Sequence, residues 1–283
     1  MCAGNGTRLK PITNSISKHL LQVYDKPMVY YPMSVLMLAG IKDILFIVNR
    51  NHLDQYKKLF GNGSDLGINL EYKIQEESKG IAEGLILAEE FLNNSPSLVI
   101  LGDNLLYGNL LEKTLLNISN KINGATIFLQ KVRDPQRFCI AKFNDNNQLI
   151  NLVEKPSNSD DDLAVIGLYF FDKFAPKYAK KIKKSSRGEF EITDLNKIYL
   201  EKGQLDFDIL GRGFTWLDMG TFESLNESQS FVSILQNKQG YKIACLEEIS
   251  LYKNWISEKD LNKKIDTYNN EYGKYLRSII SKK

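Results

Sequence analysis

The sequence is poor in the residues that ligate transition metals or staple small folds: 2 histidines, 3 cysteines and 2 tryptophans in 283 residues. His19 and His52 have no metal-ligand spacing, and Cys2, Cys139 and Cys245 lie too far apart for a CxxC or zinc-ribbon pattern. An odd number of cysteines is awkward for a secreted disulfide framework, so a reducing, cytoplasmic setting is expected. Long apolar runs are also missing. The longest, from Met33 to Ile41, contains Ser34 and Gly40 and meets Lys42 and Asp43, far short of the roughly 20 residues that span a bilayer. The opening Met1-Cys2-Ala3-Gly4-Asn5-Gly6 has neither the basic nor the apolar region of a secretory signal. Charge of one sign is scarce as well. With 37 basic against 34 acidic residues, a net +3, there is no broad electrostatic footprint for nucleic acid. Neither a membrane nor a nucleic acid is expected as a partner, whereas a small phosphate-bearing ligand is compatible.

What is present is an ordinary globular composition, 43% apolar and 25% charged, long enough for one large α/β domain or two small ones. The first half alternates two periodicities. Pro27 suits a first helical turn, and Val29, Met33, Leu36 and Met37 recur on one helical face before Gly40. Apolar strands are predicted over 44–48, 70–74, 98–101 and 125–132. Between them fall a helix over 53–60, a stripe of Ile81, Leu85, Ala88 and Leu92, and another of Leu111, Leu115, Ile118 and Ile122. Strands separated by helices of this length indicate right-handed crossovers and a mainly parallel sheet with helices on both faces. Strand-like runs over 140–143, 149–153 and 165–171 then crowd together and read as strands added beside that sheet. Helices resume over 192–200 and 221–236 and beyond 257. The expected class is therefore α/β, a Rossmann-like mainly parallel sheet flanked by helices, with inserted β-strands and a helical C-terminal region. Residues 1–236 would form the catalytic domain and 237–283 its helical extension.

In such sheets ligands bind beyond the carboxyl ends of the strands, and several polar residues fall there. Gly4-Asn5-Gly6-Thr7-Arg8 is a glycine-bearing loop in which backbone N–H groups could approach phosphate oxygens beside a planar cation. The Pro11 that follows argues against a dinucleotide fingerprint. Leu101-Gly102-Asp103-Asn104 ends a strand with a carboxylate, and Trp216-Leu217-Asp218 offers a second; two carboxylates with phosphates and water suit Mg²⁺. Glu154-Lys155-Pro156 closes another strand, and Arg187-Gly188-Glu189 precedes a helix. Each is bland alone. As a set, Arg8, Lys18, Lys155 and Arg187 against Asp103 and Asp218 suit a site for a nucleoside triphosphate, a metal and a second phosphate.

These residues, with the Val23–Pro32 run and Arg187-Gly188-Glu189-Phe190-Glu191-Ile192-Thr193-Asp194, resemble the glucose-1-phosphate thymidylyltransferases among the sugar nucleotidyltransferases, in order and over essentially the whole chain. The resemblance implies coupling of dTTP and glucose 1-phosphate to dTDP-glucose and pyrophosphate with Mg²⁺, feeding dTDP-rhamnose and related sugars, by a homotetramer. It implies that Gly4, Gly6, Thr7 and Arg8 cradle the triphosphate with Lys18, and that Asp103 and Asp218 hold the metal. Gln75 and Gly80 would read the thymine edge. Glu154 and Val165 would contact the glucose hydroxyls, and Lys155 and Arg187 would grip the sugar phosphate. By the same resemblance Arg8, Lys18 and Lys155 are the catalytic residues.

The chain departs from the family pattern in several places. Its glycine loop is one residue shorter. His19 stands for a glutamine, Gln22 for a proline, Glu83 for a glutamine beside the base, Cys139 for a glycine facing the sugar, Ile166 for a threonine and Met219 for a threonine. A strand expected to precede the loop would lie upstream of Met1. The competing expectation is a catalytically weak or inactive paralogue that binds nucleotide or nucleotide sugar in a regulatory or scaffolding role.

Overall fold

The computed structural model describes residues 1–119 and 123–281. Its strands, in chain order, are β1 (Gln22–Val23), β2 (Lys26–Pro27), β3 (Asp43–Val48), β4 (Asn69–Ile74), β5 (Ser97–Ile100), β6 (Asn104–Gly108), β7 (Ala125–Lys131), β8 (Cys139–Phe143), β9 (Leu149–Glu154), β10 (Leu163–Phe171), β11 (Leu205–Ile209) and β12 (Phe214–Asp218). The α-helices are α1 (Tyr30–Leu38), α2 (Leu53–Phe60), α3 (Ile81–Leu87), α4 (Glu89–Leu92), α5 (Leu111–Ser119), α6 (Ala175–Ala179), α7 (Ile192–Glu201), α8 (Phe222–Gln239), α9 (Leu246–Tyr252), α10 (Glu258–Ile265) and α11 (Glu271–Ile280). The chain folds as two compact units, one of residues 2–74, 102–106 and 217–283, the other of residues 75–101 and 107–216 with Met1.

In the first unit, β3 and β4 pair in parallel from Asp43↔Asn69 to Val48↔Ile74. A parallel pair needs a long crossover, and α2 supplies it. Asp54 in its first turn and Lys57 and Lys58 in its last complement the helix dipole, and Gly61, at φ +56°, ends it. Val29, Met33, Met37, Phe46, Tyr56 and Phe60 bury together as this unit's core. Pro27 is not in a helical turn as expected. It sits in β2, paired with β1 through Gln22↔Pro27, and α1 starts only at Tyr30. Between the two short strands Tyr24 takes φ +57°, the left-handed turn that brings them together. α8 is capped by Thr221 and Ser224 in a reciprocal box and ends at Gly240.

The second unit is built on one sheet in the order β11-β7-β10-β8-β9, with β5 also on β10. β11 runs parallel to β7, but β10 is antiparallel to β5, β7 and β8. The run over 165–171 is thus not added beside the sheet. It is the buried centre of this one, and Ala164 to Phe171 are buried without a break. A continuous apolar run signals burial on both faces but carries no strand direction. The stripe ending at Leu92 is broken at Ala88 into α3 and α4. Ile122, at the end of the α5 stripe, lies outside the described residues, as do residues 282 and 283 of the C-terminal extension. Sequence reasoning did not predict β6, β11, α6 or α9. The α/β class and the helical C-terminal region, α8 to α11, are as expected. Among the described residues no helix is long and apolar enough to cross a membrane.

Candidate active site

The glycine loop, both expected metal carboxylates and two cations converge in the first unit. Gly6 sits at φ +61°, and a Cβ there would come within 2.9 Å of Thr13 Cγ2 and 3.0 Å of Lys18 Cβ, so only glycine fits. Thr13 Oγ1 (2.8 Å) and the Leu9 N–H (2.9 Å) both donate to the Gly6 carbonyl and close the loop. Leu9 is buried and anchors the turn, while Thr7 and Arg8 stay exposed. The Arg8 guanidinium lies over the Gly220 backbone: a Cβ on Gly220 would meet Arg8 Nη2 at 2.5 Å and Asp218 Oδ1 at 3.0 Å. Lys18 is ion-paired with Asp103, and its Nζ lies 3.6 Å from where a Gly4 Cβ would be. The Met219 N–H donates to the Asp103 carbonyl (2.9 Å), which ties the segments carrying the two carboxylates together. Asn104 Nδ2 donates to Asp103 Oδ1 at 3.1 Å.

Burial would raise the Asp103 carboxyl, but the Lys18 ammonium beside it overcomes burial and holds the group well below the usual carboxylate range. His19 is buried. Its Nδ1 lies 3.2 Å from Ser17 Oγ and 3.3 Å from Tyr56 OH, and these two hydroxyls are 2.9 Å apart. Burial first, then the neighbouring Lys18 charge, pushes its pKa well down and keeps it neutral. Among the described residues no cluster of three or more His, Cys, Asp or Glu side chains could hold a metal ion. The available donors are the hard carboxylate oxygens of Asp103 and Asp218. That set fits a hard cation that draws its remaining ligands from phosphate and water.

The other expected residues lie in the second unit. Gly80 takes φ +98°, and a Cβ there would fall 2.4 Å from the Phe190 carbonyl oxygen. The Phe190 N–H donates to Lys79 O (2.7 Å), and the Ala82 N–H donates to Phe190 O (3.3 Å), lacing this turn to the chain before α7. Buried Gln75 donates through Nε2 to Glu83 Oε2 (2.6 Å) and to Gly80 O (3.2 Å). Arg187 forks onto Glu191, Nη2 to Oε2 at 2.8 Å and Nε to Oε1 at 3.2 Å, and reaches Glu154 Oε1 at 3.2 Å. Thr193 Oγ1 donates to Glu154 Oε2 at 2.5 Å, and Lys155 Nζ is 3.8 Å from Glu154 Oε1. Cys139 pairs in register with Glu154 on one side and Val165 on the other, so all three side chains share one sheet face. The Cys139 thiol is buried, and burial pushes it up to about 12.

Several residues of these clusters escaped sequence reasoning: Glu191 and Thr193, which hold Arg187 and Glu154; Gly220, which gives Arg8 its seat; and Ser17 and Tyr56 around His19. Arg187 and Glu191 are four apart, but both precede α7, so the helical spacing rule gave no signal for their pairing. Gly220 and Tyr56 had none either.

Residues 1–233 match the family model described as nucleotidyl transferase, and that is the class the glycine loop, cations and paired carboxylates define. A glucose-1-phosphate thymidylyltransferase of Neisseria meningitidis is 48% identical over 283 residues, covering 100% of this chain and 98% of the relative. The Mycobacterium tuberculosis protein of the same name is 38% identical, with 100% and 98% covered. A Bacillus anthracis protein assigned as a glucose-1-phosphate thymidylyltransferase, crystallised in complex with a sucrose, superposes with a TM-score of 0.75 at 36% identity, covering 81% of this chain and 92% of that one. UDP-glucose pyrophosphorylase complexed with UDP-glucose, at TM-score 0.72 and 21% identity over 82% and 96%, shares the fold. The chain belongs to the nucleotidyl transferase family and, within it, to the glucose-1-phosphate thymidylyltransferases.

Proposed function

We propose that the chain transfers the thymidylyl group of dTTP to glucose 1-phosphate, giving dTDP-glucose and pyrophosphate, and so supplies dTDP-deoxysugar synthesis such as that of dTDP-rhamnose. The observation that carries this is the convergence of Arg8, Lys18, Asp103 and Asp218 at the glycine loop. The nucleophile is a phosphate oxygen already anionic at neutral pH, so no general base is required. The barrier is the repulsion of two anions and the ordering of two substrates.

Each residue then has a task that its chemistry suits. Gly4, Gly6 and Thr7 offer backbone to the triphosphate, and the exposed Arg8 and the Lys18 ammonium neutralise it. Asp103, kept ionised by Lys18, and Asp218 would hold Mg²⁺, which supplies charge neutralisation and orients phosphate oxygens. Gln75 and Gly80 read the base. Glu154 and Val165 bound the hexose, and Lys155 and Arg187 fix its phosphate for in-line attack on the α-phosphorus. Residues 1–236 act as the catalytic domain and 237–283 as its helical extension. The protein works in the cytoplasm as a homo-oligomer, a tetramer by resemblance.

A binding-only role has no observation in its favour: Lys18 is ion-paired with Asp103, and Arg8 and Asp218 both lie against Gly220. Pyrophosphate release with glucose 1-phosphate and dTTP, UTP or CTP tests the reading. Mg²⁺-dependent release with dTTP is expected. Nucleotide binding without release would leave the binding-only role standing.

A further inference from the structure

Gln75 is held in one orientation. Its Nε2 carries two hydrogens, and both are spent: one goes to Glu83 Oε2 at 2.6 Å and one to the Gly80 carbonyl at 3.2 Å. Turning the amide over would set Oε1 against a carboxylate oxygen and a carbonyl oxygen, two acceptors with nothing to donate. Gln75 is 4% exposed, so water cannot repair that mismatch. Glu83 is on the first turn of α3, and Gly80 is fixed by its φ of +98° and by the Phe190 backbone behind it. The pair therefore leaves Gln75 with a single polar atom to offer a ligand, the acceptor Oε1.

We infer that Glu83 is a positioning residue for base selection: by fixing the Gln75 amide it presents an acceptor only, and so admits bases with an N–H at that edge. This rests on the reading of Gln75 as a base reader. Thymine and uracil both carry N3–H and satisfy Oε1. Cytosine presents the N3 lone pair, which leaves two acceptors facing each other in a buried place. The pair thus separates imide pyrimidines from cytosine but does not separate dTTP from UTP. Glu83 suits this task better than a neutral partner, because an ionised carboxylate cannot donate and so gives Gln75 one answer.

The test compares kcat/KM for dTTP, UTP and CTP, with glucose 1-phosphate saturating, in the parent, Glu83→Leu, Glu83→Lys, Glu83→Gln and Gln75→Ala, with thermal melting run alongside. Glu83→Leu removes the acceptor and Glu83→Lys replaces it with a donor. Both are expected to lower the dTTP-to-CTP preference by roughly tenfold or more while the dTTP-to-UTP ratio holds. Glu83→Gln keeps an oxygen that can accept from Nε2 and is expected to retain most of the preference. An unchanged dTTP-to-CTP ratio in folded Glu83→Leu overturns the inference. Should Gln75→Ala leave all three nucleotides equally well used as in the parent, the reading of Gln75 itself fails, a result distinct from failure of Glu83 alone.

Discussion

Replacing Lys18 by Met keeps an unbranched stem beside Gly4 but removes the ammonium from Asp103. Asp103 is 7% exposed and would keep the Asn104 amide as a donor. Removing one member of a buried ion pair costs about 3–5 kcal/mol, because the other charge stays desolvated. With Asn104 still donating, the lower end, about 3 kcal/mol, is expected near pH 7.5. The sign of the pH dependence follows from the directions. In the parent the Asp103 pKa is depressed, so its contribution is present above the unfolded value of about 3.9 and lost as pH falls toward the folded one. In Lys18→Met the largest opposition to burial is gone, so burial dominates the remaining hydrogen bonds and lifts the pKa above the unfolded value, and protonation relieves the variant as pH falls. His19 acts in the same direction, since part of its depression comes from Lys18. The gap between parent and variant should therefore shrink by 1 kcal/mol or more, roughly, from pH 7.5 to pH 5. Urea denaturation at several pH values, without nucleotide or divalent metal, measures it. A variant within about 1 kcal/mol of the parent at pH 7.5, or a gap that stays constant with pH, would refute the account of Asp103 as a buried charge held by Lys18.

Arg187→Lys should raise the KM for glucose 1-phosphate roughly tenfold and leave that for dTTP unmoved, because lysine cannot fork onto Glu191 and reach Glu154 together; steady-state kinetics with each substrate varied decides it. His19→Gln should flatten acid destabilisation between about pH 6.5 and 5: the depressed His19 leaves the parent at full stability above the unfolded pKa and costs it stability below. Denaturant curves at pH 7 and 5 compare the two. The native protein should show no fast-reacting thiol toward a disulfide reagent at neutral pH, and all 3 after denaturation. Cys2, Cys139 and Cys245 are buried, with Cys139 and Cys245 pushed up to about 12 and Cys2 raised by burial.

What the sequence discloses depends on how far apart the partners lie. The helix over 53–60 and the strand over 44–48 are written in their own side chains, and the structure returns them to within a residue. β10 shows the first limit. Its apolar run announces burial, yet its antiparallel direction is decided by partners at β5, β7 and β8, and no local period encodes that choice. β6 shows a second. It pairs with β12, more than a hundred residues away, so a stretch that reads locally as a turn after Asp103 becomes a strand.

Charges obey the same rule. Asp25 and Lys26 are neighbours of opposite charge, yet Lys26 is 3% exposed, and Asp25 is also held by Lys242 at 2.6 Å across 217 positions. The buried Lys26 ammonium is held by the adjacent Asp25, and the distant segment brings a second cation, Lys242, onto the same carboxylate. The candidate site divides along this line. Its chemistry was legible because carboxylates, cations and glycines at strand ends are local signatures. The residues that set their orientation, such as Tyr56 beside His19 and Gly220 beneath Arg8, come from elsewhere in the chain and carry no signature of their own. Glu83 lies between these cases. It is close to Gln75 in sequence, but its effect appears only once the turn at Gly80 brings carboxylate and amide together. A departure from a family pattern therefore gains physical meaning only when the contact it makes is known.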